Sequence, residues 1–149
     1  NHHAIRVGEV RRVICASPQF LAIHGRPKHP QELAQSPIIA TSAIGQLKHW
    51  PFLERGEPLS VRVEPRLTVT ANQAAITAAA LGLGFTRVLS YQSASKVAAG
   101  ELEIVLADFE MPPLPIHVLY QGGRNAAARI RSFVDFTVKA LREHPALQI

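Results

Sequence analysis

Short apolar runs alternate along the chain with short segments of helical periodicity, an order typical of an α/β domain. Buried strands are predicted at the apolar runs, which are residues 10–16, 38–41, 85–89, 103–106 and 116–120. Residues 59–63 and 66–70 alternate apolar and polar positions, as partly exposed strands do. The sequence therefore predicts a sheet of several short strands connected by helices.

Capping residues and glycines predict where the helices begin and end. Serine and asparagine cap helix N-termini, and glycine commonly follows a helix C-terminus. Three predicted helices carry such a pair, namely Ser17 with Gly25, Asn72 with Gly82, and Ser90 with Gly100. A short helix is predicted at 31–35, and the longest helix covers 126–143 with its apolar residues on one face. The segment 42–58 is predicted as a loop or the start of a hairpin.

Composition limits the class of protein. A chain of 149 residues with 47% hydrophobic residues suffices for one ordinary domain or for two small lobes that share a hinge. No apolar run approaches the ~20 residues of a membrane helix, and the first residues do not resemble a secretory leader. We therefore expect a cytoplasmic protein without membrane contact.

The net charge of +5 suggests binding to nucleic-acid phosphates. The distribution of the basic residues argues against this interpretation, because most of them are scattered along the chain. The denser set fits the solvated face of the last predicted helix and comprises Arg124, Arg129, Arg131, Lys139 and Arg142. We do not expect direct DNA contact by this part of the protein.

Residues that could support catalysis or bind a metal do not form recognisable sets. The pairs Gly82-Leu83-Gly84 and Gly122-Gly123 are not completed to a phosphate-binding loop, and no serine lies in a nucleophile elbow. His2-His3 could bind a metal, but a solvated terminus is the simpler interpretation. A solvated turn also explains one group of carboxylates better than an acid–base pair does: Glu101, Glu103, Asp108 and Glu110. No catalytic residue, metal or cofactor is predicted.

The single cysteine, Cys15, lies in the apolar run 13–16, where a small buried side chain is expected. It cannot form a disulfide within the chain. A redox role would need an accessible, electropositive setting, which sequence does not reveal. We therefore expect a structural role, with redox sensing as the alternative.

Polar residues follow several predicted strands immediately before helices: Ser17, Thr70, Asn72, Thr86 and Ser90. In open α/β sheets, ligands bind outside the carboxyl ends of the strands, where helix N-termini offer unpaired N–H groups and a partial positive charge. Such positions suit a small anion such as a carboxylate. Capping of its own helix is a sufficient explanation for each residue taken singly, and an additional ligand contact is the alternative.

Three stretches carry a family resemblance. The first contains Ala16-Ser17-Pro18-Gln19-Phe20-Leu21 and Pro30-Gln31-Glu32-Leu33-Ala34, and the second contains Leu67-Thr68-Val69-Thr70 and Gly82-Leu83-Gly84. The third is Leu114-Pro115-Ile116-His117-Val118 with the helix that follows it. Together, and in this order, they resemble the effector-sensing domain of LysR-type bacterial transcriptional regulators.

The resemblance implies a periplasmic-binding-protein-like (type 2) α/β fold of two lobes with the effector in the cleft between them. Residues 1–16 and 107–149 would form a partial first lobe, and 17–106 a complete second lobe. The DNA-binding segment and the opening of the first lobe would be absent, so that the regulator would contact DNA only through the missing N-terminal domain. Effector binding would be transmitted allosterically in a homodimer.

Carried over residue by residue, the resemblance places effector contacts at Ser17, Thr70, Asn72, Phe85 and Thr86. The chain departs from the family at 87–92, where many members have a proline. Two other classes remain open. One is a fragment of a periplasmic solute-binding protein of a transporter, which a signal peptide would establish, and the other is an enzyme of the same fold.

Overall fold

The computed structural model describes residues 2–42, 48–122 and 128–148. They form nine strands, four α-helices and three 3₁₀ turns, at Pro30–Gln35, Ala107–Phe109 and Pro145–Leu147. In chain order the strands and α-helices are β1 (His2–Val10), β2 (Arg12–Ala16), α1 (Pro18–His24), β3 (Ile38–Thr41), β4 (His49–Glu54), β5 (Glu57–Arg62), β6 (Pro65–Val69), α2 (Asn72–Ala80), β7 (Phe85–Leu89), α3 (Ser90–Ala98), β8 (Glu103–Val105), β9 (Leu114–Gln121) and α4 (Ala128–Arg142).

The chain divides into two compact units. The first comprises Asn1–Arg11 and Pro113–Ile149, and the second comprises Arg12–Pro112. The lobe boundaries expected from the sequence, after residues 16 and 106, fall inside the second unit. The reason is that β2 pairs with β7 and β8, both of which belong to the second unit.

The first unit consists of β1 paired antiparallel with β9, and of α4. Val134 and Val138 of α4 pack against Val7 of β1 to form a small apolar cluster. The Arg142 guanidinium at the end of α4 donates hydrogen bonds of 3.2 and 3.1 Å to the carbonyl oxygen of Arg6. The sequence does not predict β1. This strand includes His3, whose ring stacks on that of Tyr120 on β9.

The second unit has a five-stranded sheet in the order β6-β3-β7-β2-β8. β3 runs parallel to β6 and to β7, whereas β2 runs antiparallel to both of its neighbours. Alternate residues of β2 and β7 belong to two different apolar clusters, as expected for a sheet buried on both faces. One face carries Ile14 and Phe85, and the other carries Val13 and Val88.

Different elements cover the two faces of this sheet. Leu21 of α1, Leu33 of the first 3₁₀ turn and the hairpin β4-β5 pack on the face of Phe85. Ala75, Ile76 and Ala79 of α2 pack on the face of Val88. β4 and the following turn lie in the segment 42–58 predicted as a loop or hairpin start, of which residues 43–47 lie outside the described ranges, and β5 overlaps the predicted strand 59–63.

The start of α1 confirms one predicted cap, and the starts of α2 and α3 show that two others were wrong. The Ser17 side chain caps α1, whereas the N-cap of α2 is Ala71 and that of α3 is Leu89, without a side-chain cap hydrogen bond at either. Asn72 and Ser90 are therefore the first residues inside their helices. The side chain that accepts from the first-turn N–H groups is that of the N-cap residue, one position earlier.

Candidate functional site

The direction of β2 places Ser17 at a different edge of the sheet from Thr70 and Asn72, although all three residues follow a strand in the sequence. Cys15 near the end of β2 pairs with Thr86 near the start of β7, so Ser17 lies at the edge of the sheet where β3 and β7 begin. Thr41 pairs with Val69 at the ends of β3 and β6, and Thr70 follows at that opposite edge. The structure therefore does not bring Ser17 together with Thr70 and Asn72.

Ser17 is buried and has two close neighbours. Its Oγ accepts a hydrogen bond of 3.0 Å from the backbone N–H of Phe20. A Cβ atom added to Gly82, just after the end of α2, would lie 3.6 Å from the same Oγ. Since α2 spans nine residues at ~1.5 Å each, Ser17 lies near one end of this helix and Asn72 forms the other.

Phe85 and Thr86 are fully buried. The Phe85 ring meets those of Phe20 and His24 edge to face, with centroid separations of 5.1 and 5.4 Å. The Thr86 hydroxyl donates a hydrogen bond of 3.0 Å to the carbonyl oxygen of Ile39. Both side chains thus have internal partners, and direct effector contact by them remains a prediction from the sequence.

The edge at which β3, β6 and β7 end is the candidate functional site, and we call it the carboxyl edge. It carries Thr41, Thr70 and Asn72, and α2 and α3 both begin there. Thr70 is exposed, and Thr41 is buried. The first-turn N–H groups of α2 have no partner within the helix and contribute a partial positive charge.

Asn72 provides a polar group that is unsatisfied in the structure. Its Oδ1 is buried and has no hydrogen-bond partner in the part of the chain that the structure describes. A buried polar atom without a partner costs about 1–3 kcal/mol. Because a flip of the amide exchanges oxygen and nitrogen, this position can accept or donate a hydrogen bond. An incoming ligand could therefore satisfy it.

The cysteine and the carboxylates show structural rather than chemical roles. Burial raises the pKa of the Cys15 thiol to about 12. Glu103 at the start of β8 pairs with Arg26, whose Nε lies 2.7 Å from Oε2. Within the described ranges, His, Cys, Asp and Glu side chains form no group of three or more that could hold a metal ion.

A mixed α/β sheet with helix N-termini and an unsatisfied polar group at one edge is the arrangement of small-molecule-binding α/β domains. Comparison with known protein families identifies the family to which this domain belongs. The family model described as LysR substrate binding domain matches residues 1–142, and the chain belongs to this family.

Curated proteins similar to this chain include named transcriptional regulators. An HTH-type transcriptional repressor of Pseudomonas aeruginosa is 29% identical over 145 residues, which cover 95% of this chain and 45% of the relative. The HTH-type transcriptional regulator CrgA of Neisseria meningitidis is 27% identical over 130 residues, which cover 86% of this chain and 43% of CrgA. The chain thus spans about half the length of the curated relatives it matches.

Solved structures of regulatory domains confirm the fold class. The regulatory domain of AphB from Vibrio vulnificus superposes with a TM-score of 0.82 at 25% identity, covering 93% of this chain and 68% of that domain. The CrgA regulatory domain gives a TM-score of 0.76 at 26% identity, covering 94% and 69%. The expected periplasmic-binding-protein-like type 2 fold is therefore confirmed, and the comparisons do not favour a transporter component.

Within the described residues, no helix has both the length and the apolar character needed to cross a membrane.

Proposed function

We propose that this chain is the effector-sensing part of a LysR-type transcriptional regulator that acts on DNA in the cytoplasm. The observation that carries the proposal is the family match over residues 1–142. In this proposal the first unit belongs to the first lobe and the second unit forms the second lobe. DNA is bound by a segment outside this chain, and effector binding changes the population of regulator conformations.

The second unit contributes to effector binding at the carboxyl edge. The support is the unsatisfied Oδ1 of Asn72, the exposed Thr70 beside it, and the N-terminus of α2. A helix N-terminus favours an anionic group, so the effector is a small molecule with a carboxylate or similar group. Phe85 and Thr86 contribute indirectly, because they hold β7 in the sheet whose strands end at the site. Ser17 caps α1 at the opposite edge of the sheet and has no part in this site.

The regulator acts as a homodimer in this proposal. Phe133 and Phe136 of α4 are 69% and 72% exposed, which is unusual for phenylalanine in a monomer. A second copy, or the part of the regulator outside this chain, would cover them. Light scattering of the full-length regulator should give the mass of a dimer, and a monomer at micromolar concentration would contradict this part of the proposal.

The effector proposal is tested with Asn72→Asp in the full-length regulator. A carboxylate at the first helical position favours the helix dipole, so folding should be retained, whereas an anionic effector should be repelled. A panel of small mono- and dicarboxylates is first screened by thermal shift against the wild type. For the compound with the largest shift, calorimetry of Asn72→Asp should show an affinity lower by about tenfold or more, the loss expected for one charge-assisted contact.

Thr77→Ala is the matched control, because Thr77 lies on the same helix away from the carboxyl edge and its hydroxyl bonds to the Gln73 carbonyl oxygen. It should bind the same compound with wild-type affinity. DNA affinity without effector should be equal in all three proteins. Unchanged effector affinity in Asn72→Asp would reject the site, and a regulator that binds no DNA would reject the function.

A further inference from the structure

Two arginines lie side by side on one face of the five-stranded sheet. In the pairing of β2 with β7, Ile14 lies opposite Arg87, and Arg12 lies opposite Leu89. Side chains alternate along a strand, so Arg12 and Arg87 both project from the face that carries Ile14 and Phe85. They are diagonal cross-strand neighbours, within reach of each other for side chains of this length.

The pair is poorly solvated. Arg87 is only 8% exposed, and the Nε of Arg12 is buried without a hydrogen-bond partner in the described ranges. Burial lowers the pKa of Arg87 to about 10, and the positive charge of Arg12 contributes in the same direction. Two like charges are thus held together where water does little to screen them, which is unfavourable unless an opposite charge is present.

Within the described residues, no acidic side chain supplies that opposite charge. All 11 acidic residues of the sequence lie within the described ranges. The ion pairs seen there join other basic residues to them, for example Arg26 to Glu103, Arg62 to Glu64 and Lys96 to Glu101. Neither Arg12 nor Arg87 forms an ion pair with a carboxylate in this part of the chain.

We propose that Arg12 and Arg87 together bind a small oxyanion, a phosphate or a carboxylate, on this face of the sheet. Guanidinium groups present planar forks of N–H donors that match two oxygens of such an anion. The anion would satisfy the buried Nε of Arg12 and neutralise the charge of Arg87. This site is separate from the proposed effector contacts at α2, because α2 packs on the other face of the sheet.

Titration with two anions distinguishes a phosphate ligand from a carboxylate ligand. Inorganic phosphate and succinate are each titrated into the full chain, in a buffer whose ionic strength is kept constant with chloride. One of them should raise the Tm in a saturable way and bind in calorimetry. Phosphate binding alone would identify an inorganic or phosphorylated ligand, and succinate binding alone a carboxylate ligand. If neither anion binds the wild type, the proposal is wrong.

Arg87→Met and Arg12→Met test the residues. Each should weaken binding of the effective anion by about 10- to 100-fold, as loss of a charged hydrogen-bonding partner does. The double variant should be little worse than either single variant, because both residues bind the same anion. Without anion, Arg87→Met should be as stable as the wild type or more stable, since an apolar residue replaces a buried unpaired charge.

Arg66→Met is the matched control, because Arg66 is an exposed arginine on β6 of the same sheet. It should bind the anion with wild-type affinity. Equal stabilisation by the anion in the wild type, Arg66→Met and Arg87→Met would show a general salt effect and overturn the proposal. If Arg87→Met does not fold, Arg12→Met gives the same comparison at the other half of the pair.

Discussion

Arg26 and Glu103 are joined by two parallel hydrogen bonds, from Nε to Oε2 at 2.7 Å and from Nη2 to Oε1 at 2.9 Å. Arg26 follows α1, and Glu103 begins the edge strand β8, 77 residues further along the chain. This bidentate arrangement fixes the loop after α1 against the sheet. Both side chains are well exposed, so the pair contributes to orientation more than to stability.

The Arg26 guanidinium lowers the pKa of the Glu103 carboxyl. A lowered pKa in the folded state means that the pair stabilises the protein above the pKa of unfolded glutamate, and that this contribution is lost as the pH falls through the lower, folded value. In Arg26→Met the Glu103 pKa should return towards its ordinary value, as followed by NMR titration of the carboxyl carbon. Thermal unfolding of the variant and the wild type should converge at acidic pH, and a difference that persists there would contradict the ion pair.

Cys15 should be inert in the folded protein. Burial raises the pKa of its thiol to about 12, so the reactive thiolate is scarce at neutral pH. Ellman's reagent should find no thiol in the native chain and one thiol in concentrated guanidinium chloride. Ser95→Cys, which adds an exposed thiol on α3, should react at once under native conditions. Rapid native labelling of Cys15 would revive the redox alternative.

Gly84 should tolerate alanine much less well than Gly25. Both have a positive φ, +150° and +100°, but a Cβ at Gly84 would lie 2.6 Å from the Pro37 carbonyl oxygen, whereas Gly25 has no atom within 4 Å. Gly84→Ala should cost about 2–4 kcal/mol of unfolding free energy, from strain and overpacking. Gly25→Ala should cost about 1–2 kcal/mol from strain alone. Urea unfolding measures both, and equal losses would contradict the close approach at Pro37.

The sequence predicts a strand correctly where a short apolar run lies between turn-forming residues. The bounds of β3 and β7 agree with the prediction, because short apolar runs between turn residues leave little choice. β1 was missed, since its residues are mixed in polarity and its hydrogen bonds go to β9, more than 100 residues away. Pairing at that separation depends on the whole fold and leaves no local pattern.

The candidate site was only partly predictable. Thr70 and Asn72 follow β6 directly, and local sequence places them at a strand end. Ser17 also follows a strand, but the direction of β2 relative to β7 decides which edge it reaches, and strand direction is not encoded locally. Arg87 is visible in the sequence as a charged residue inside the apolar strand Phe85–Leu89, a position where charged side chains are rare unless they have a partner.

Ser17 lies away from the carboxyl edge, so Ser17→Ala and Asn72→Ala should have different effects in the full-length regulator. Ser17→Ala removes the hydrogen bond to the Phe20 N–H and should cost about 1 kcal/mol of stability, the usual loss for an N-cap. It should leave effector affinity unchanged.

Asn72→Ala removes the unsatisfied amide from α2. It should leave stability unchanged or raise it, because a buried polar atom without a partner is removed, and it should weaken effector binding. Calorimetry and urea unfolding of the two variants should therefore show opposite patterns. Effector affinity should be compared under conditions where Ser17→Ala is fully folded. If this variant then loses effector affinity, the ligand reaches the edge where β3 and β7 begin, contrary to the site proposed for Asn72.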